Sequence, residues 1–153
     1  MSGGKPGRQR PAGALVLLGL LACAAAAPTG SGAVFPRLAG AWLGQKPPGP
    51  VPELFAPGIV CNGLNERDVA ASADGREIYF GVSFGRVTTI MWTRLQGGRW
   101  SEPEVAPFAA DARYFHFEPA LSAAGRRIFF LTNRPGPGGG AKPGWANQAI
   151  WAA

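Results

Sequence analysis

Glu66 to Phe80 reads ERDVAASADGREIYF, and His116 to Phe130 reads HFEPALSAAGRRIFF. At an offset of 50, seven of the 15 positions are identical: Ala70/Ala120, Ser72/Ser122, Ala73/Ala123, Gly75/Gly125, Arg76/Arg126, Ile78/Ile128 and Phe80/Phe130. Asp68/Glu118 and Tyr79/Phe129 are conservative pairs. Similarity at a fixed period marks a repeat architecture. It also reaches outward. Upstream, Pro52 to Pro57 (PELFAP) echoes Pro103 to Pro107 (PEVAP) with one residue of slippage. Downstream, Ile90-Met91-Trp92 corresponds to Ile150-Trp151, with ten extra residues in the second copy. Those residues coincide with the Gly/Pro tract Pro135 to Gly144.

Each copy reads as a string of short strands. Val69 to Ser72 is a small, apolar first strand, and Ala73-Asp74-Gly75 supplies turn chemistry. Glu77 to Val82 is a run of β-formers, the pattern of a strand buried on both faces. Thr88 to Leu95 is rich in β-branched and aromatic residues, and Gly97-Gly98 closes a hairpin. Arg99 to Val105 makes a fourth, edge-like strand, where Pro103 is tolerable because an edge can lack a donor. Four antiparallel strands per repeat of about 50 residues is the pattern of a β-propeller blade. Such a sheet has two apolar faces and must stack on its neighbours to bury them. A small β-sandwich with a chance similarity is the alternative. The expected fold is therefore all-β: an incomplete propeller of about two blades over residues 51–153, with repeats near 66–105 and 116–153.

The rest of the composition agrees. Gly (23) and Pro (15) are abundant, 46% of residues are hydrophobic, and only 16% are charged. Such a mixture suits short strands joined by turns better than it suits a helix bundle. Residues 28–50 are Pro/Gly-rich, and Gly44 to Pro50 (GQKPPGP) reads as a solvated linker. Residues 1–27 read as a signal peptide. Lys5, Arg8 and Arg10 precede an uncharged run from Ala12 to Ala27, which is short for a membrane span. Small residues there suit ordinary cleavage. Leu20-Leu21-Ala22-Cys23 also resembles a lipobox, which makes Cys23 a candidate for lipidation and membrane attachment. The destination is the periplasm or the outside of the cell.

Removing residues 1–23 leaves 12 basic and nine acidic residues, a net charge of +3. The basic residues are scattered, which argues against nucleic-acid binding. One His and two Cys argue against a zinc site, and no cofactor motif is present.

Ser72 to Phe80 (SADGREIYF) resembles the repeat motif of WD40-like, TolB-type propellers: Ser-Pro-Asp-Gly, two variable residues, then a hydrophobic strand. The second copy, Ser122 to Phe130, departs further and lacks both Pro and Asp. Phe117 to Leu121, Thr132-Asn133-Arg134 and Trp100 to Pro103 are also similar to that family. The resemblance covers roughly residues 51–153. It implies a fold and not an activity, since such propellers serve as periplasmic binding scaffolds and as accessory parts of hydrolases. It also implies further blades from sequence outside this chain.

Catalytic motifs fare poorly. Gly81-Val82-Ser83-Phe84-Gly85 matches the bare nucleophile-elbow pattern, but the elbow needs a strand-to-helix turn and Val87 onward reads as strand. Lys142 in the Gly/Pro tract is followed by Pro143, not by Ser or Thr as a phosphate loop requires. Asp68 and Glu118 stand at equivalent repeat positions, beside Arg67 and His116. At a channel-side strand end these four would form a binding surface for a cation or basic segment. A bond repeated locally within or between blades is the competing reading. The sequence thus points to an exported, non-catalytic scaffold that binds a protein or small ligand. The rival is the propeller part of a secreted peptidase or glycosidase whose catalytic residues lie beyond residue 153.

Overall fold

The computed structural model describes residues 35–138 and 147–153. The leader, Cys23, residues 28–34 and Lys142 lie outside the described residues. Among those described there is no α-helix, and the fold is all-β.

The first sheet is an antiparallel meander. β1 (Asn65–Ala71), β2 (Glu77–Phe84) and β3 (Val87–Gln96) pair in chain order. β4 (Arg99–Trp100) and β5 (Glu104–Val105) both lie on the outer edge of β3. They are one strand broken around Pro103, as the missing proline donor requires. Between them Ser101 keeps the ladder: its N–H donates to the Arg94 carbonyl at 2.9 Å. The Thr93 hydroxyl donates to the Ser101 carbonyl at 2.7 Å. The two-residue β3–β4 turn uses Gly97 and Gly98 at φ +56° and +78°, a combination that matches the strand twist and suits glycine.

The second sheet has β6 (His116–Leu121), β7 (Ile128–Thr132) and β8 (Ala149–Ala152), again antiparallel and in chain order. Its register reproduces the first. Ala70 faces Tyr79 and Ala120 faces Phe129; Ala71 faces Ile78 and Leu121 faces Ile128. The ladder shifts between Arg67 and Ala70, and likewise between Phe117 and Ala120. The turns match as well. Gly75 N–H donates to the Ser72 carbonyl and Gly125 N–H to the Ser122 carbonyl, both at 2.8 Å. Ile90 lies opposite Gly81 and Ile150 opposite Leu131, so the downstream correspondence also holds. The repeat is structural and not only compositional.

Side chains alternate along each strand and define two faces. Tyr79, Ile90 and Trp92 form the rear face of the first sheet. They pack with Ile128 and Phe130 on the front of the second, around Ala106, Phe108 and Ala109 of the connecting segment. Phe108 lies 4.8 Å from Phe130, centroid to centroid. The front face of the first sheet carries Ile78, Phe80 and Val82. It is covered by the segment 35–61, through Leu43, Ala56 and Val60 with Phe35, Leu38 and Phe55 beside them. Each such large side chain contributes roughly 1.5–3 kcal/mol by leaving water.

That cover corrects the expectation that folding starts near Val51. Lys46 to Pro50 are indeed exposed, but Leu43 is 5% exposed. The Trp42 N–H donates to the Gly75 carbonyl at 2.8 Å, and the Trp100 indole donates to the Gly40 carbonyl at 2.7 Å. Gly and Pro exclude regular structure; they do not exclude burial of the apolar residues between them.

Candidate functional site

The matching irregularities in β1 and β6 build the candidate site. A β-bulge interrupts pairing and re-aims a side chain. Asp68 and Glu118 occupy the two bulges with φ of +56° and +54°, a left-handed conformation uncommon for residues with a Cβ. Two corresponding strained residues, each a carboxylate, point to a common role for these positions.

Arg67 joins them. Its Nε donates to Asp68 Oδ2, and its Nη2 donates to Glu118 Oε1 at 3.3 Å. The same guanidinium sits 5.8 Å from the centroid of the Phe117 ring. One arginine thus links the bulge of one sheet to the bulge of the next. Gly81, opposite Arg67, makes this feasible: a Cβ there would lie 3.3 Å from the Arg67 carbonyl oxygen and 3.4 Å from its Cγ. All three charged side chains remain solvent-accessible, so the ion pairs contribute modestly to stability. In the second sheet Phe117 stands where Arg67 stands in the first, so the arginine is not repeated.

His116 does not share this surface. It is 1% exposed, with its ring against Phe130. Its Nε2 donates to the Asp111 carbonyl at 3.2 Å, which leaves Nδ1 bare and without a hydrogen-bond partner among the described residues. Burial pushes the imidazole below its usual range, against the smaller opposing pull of Asp111. Asp111 is itself held down to about 2, chiefly by the Arg113 guanidinium. Of the four expected residues, the structure therefore brings Arg67, Asp68 and Glu118 together and sends His116 into the core. The sequence placed it beside Phe117 but gave no sign of which way a residue next to a bulge turns.

Ser83 lies within β2, its hydroxyl 3.1 Å from that of Thr88. The strand runs into the Gly85-Arg86 hairpin and not into a helix, so the elbow geometry is not formed. Among the described residues no three His, Cys, Asp or Glu side chains are grouped to hold a metal. No described helix is long and apolar enough to cross a membrane.

A feature absent from the sequence reading is an apolar groove of about 620 Å³ between the covering segment and β1, lined by Trp42, Gln45, Phe55, Val69 and Ala71. Its walls come from residues far apart along the chain, which nothing local in the sequence signals. Comparison with family models, with curated proteins and with solved structures gives no match.

Proposed function

We propose that this chain is an exported, non-catalytic scaffold of the TolB-like propeller type. Its two sheets are successive blades, and its ligand is a protein or small molecule in the periplasm or outside the cell. The contact surface is the rim of Arg67, Asp68 and Glu118. One observation carries the reading: equivalent bulges present a carboxylate at the same end of both sheets, bridged by a single arginine. A rim of this kind offers charges of both signs on solvent-accessible side chains, with the two carboxylates at repeated positions, which favours recognition of a polar or charged partner. The leader supplies the destination, and Cys23, if lipidated, supplies attachment to a membrane.

The test places a photo-crosslinking amino acid at Arg67 or Glu118 in cells, with Arg99 on the opposite edge of the first sheet as the control. Discrete adducts from the rim positions and none from Arg99 are expected. Equal labelling, or none from the rim, overturns the reading. Hydrolysis of peptide or glycoside substrates by a longer chain that continues past residue 153, abolished by a substitution beyond that point, would establish the rival.

A further inference from the structure

We propose that the turn end of the two sheets binds a phosphate monoester, in a polar pocket between the β1–β2 turn and the β6–β7 turn. The pocket has a volume of about 490 Å³, a size that suits a small ligand. Asp74, Arg76, Glu77, Arg94 and Gln96 line one wall, and Ala123 to Gly125 line the other. Both walls are turns closed by their own backbone bonds, Gly75 N–H to the Ser72 carbonyl and Gly125 N–H to the Ser122 carbonyl. An adjoining cleft shares Glu77 and Gly125 with the pocket and is lined by Arg126 and Arg127.

The way the repeat changes between its copies makes this place positive. Ser72 to Glu77 reads SADGRE, and Ser122 to Arg127 reads SAAGRR. Ala124 stands where Asp74 stands, which removes a carboxylate and leaves room. Arg127 stands where Glu77 stands, which reverses a charge. Arg76 and Arg126 are the same residue at the same turn position. With Arg94, four arginines face two carboxylates, a surplus of two positive charges. Along the sequence these arginines are scattered; the fold gathers them at one end.

The carboxylates are already engaged and the arginines are not. Asp74 accepts from the Ser72 hydroxyl and the Arg76 N–H, at 2.6 and 3.1 Å. Glu77 lies opposite Arg94 in the ladder, yet it accepts from the Tyr79 hydroxyl at 3.2 Å. Among the described residues, the arginines in ion pairs are Arg67 and Arg113, so none of these four is neutralised. Arg94 lies over the Trp92 ring, 4.4 Å from its centroid. Stacking of this kind holds the guanidinium by its face and leaves its N–H edge for a ligand. A guanidinium fork matches one pair of acceptor oxygens. A carboxylate has one such pair and a single charge. A phosphate monoester has three oxygens and close to two charges at neutral pH, which fits more than one arginine and the surplus here. The pocket shares no residue with the rim of Arg67, Asp68 and Glu118.

Calorimetric titration of the full chain with glucose 6-phosphate tests this, with glucose and glucuronate as comparisons. Binding of the phosphate ester and of neither comparison is expected. Arg94→Gln, and separately Arg126→Gln with Arg127→Gln, should each weaken it roughly tenfold or more, the scale of a lost bond to a charged group. Ala124→Asp returns the missing carboxylate to an exposed turn and should weaken it similarly while the chain stays folded. Arg86→Gln, in the β2–β3 hairpin at the other end of the sheet, should leave it unchanged. Vesicles of phosphatidic acid in phosphatidylcholine offer the same group on a lipid. Binding of the free ester assigns the pocket to a soluble molecule; binding of the vesicles alone, lost in the same variants, assigns it to a headgroup. No binding of either probe, glucuronate bound as tightly as the ester, unchanged binding by Ala124→Asp, or equal loss from Arg86→Gln and Arg94→Gln overturns the inference. Rim crosslinking from Arg67 is read independently, so the two proposals fail separately.

Discussion

Ile90 and Ile150 hold the same place in the two sheets, each opposite the residue that the repeat assigns to it. One is 0% exposed and the other 74%. Tyr79 and Phe129 repeat the contrast, at 8% and 38%. The front faces show none of it, since Phe80 and Phe130 are both buried. Strand pairing is thus fixed within each copy, whereas burial depends on what stands behind it. The first sheet has the second sheet behind it and the segment 35–61 before it. The second has a neighbour on its front face only among the described residues. A repeat encodes a face; the neighbour decides whether that face is core.

The largest expected difference follows directly. Ile90→Ala removes a fully buried side chain that touches both sheets, and should cost about 2–5 kcal/mol. Ile150→Ala, measured by urea unfolding in dilute solution, should stay within about 0.5 kcal/mol, as substitutions of exposed residues do. Equal losses would mean that Ile150 is covered in solution, and the contrast between the rear faces would disappear.

A smaller difference is expected at the matching turns. Gly75 and Gly125 have φ of +64° and +65°, so alanine at either meets the same backbone penalty of roughly 1–2 kcal/mol. Their surroundings differ. A Cβ on Gly75 would lie 2.6 Å from indole atoms of Trp42, whereas one on Gly125 meets nothing within 4 Å. Trp42 is also tied to the Gly75 carbonyl through its own N–H. Gly75→Ala should therefore cost about 1–3 kcal/mol more than Gly125→Ala. In the Trp42→Ala background the two should converge, which a double-mutant cycle measures.

These contrasts mark how far the sequence could be read. The strands and the turns were legible because β-formers, Asp-Gly and Gly-Gly act locally, and the offset of 50 multiplied each signal. The bulges were not. Nothing in Asp68 or Glu118 announces a left-handed backbone, although their alignment flagged them as a pair. His116 was misplaced for the same reason, since a shifted ladder reverses which side chains face inward. The cover of residues 35–43 was hidden because Phe35, Leu38 and Leu43 act through contacts with strands far along the chain.

The last difference lies inside the turn motif. Asp74 accepts hydrogen bonds from the Ser72 hydroxyl at 2.6 Å and the Arg76 N–H at 3.1 Å. Ala124 occupies the matching place and makes neither bond, although Ser122 still caps its turn through the Arg127 N–H. The Ser72 hydroxyl, with the Arg76 N–H behind it, holds the Asp74 carboxyl below its ordinary value of 3.8. A carboxyl with a lowered folded-state value favours the fold when ionised. Its contribution is complete above the unfolded value and is lost as pH falls through the folded one. Asp74→Ala should therefore lower the melting temperature slightly at neutral pH, and the difference should shrink as pH falls through the lowered folded-state value and the wild-type carboxyl protonates. Ala124→Asp should do the reverse, a small gain at neutral pH that vanishes on acidification. If Ala124→Asp instead gave no gain, the second turn would not have kept the Ser-x-Asp geometry of the first, and the equivalence of the two copies would end at the backbone.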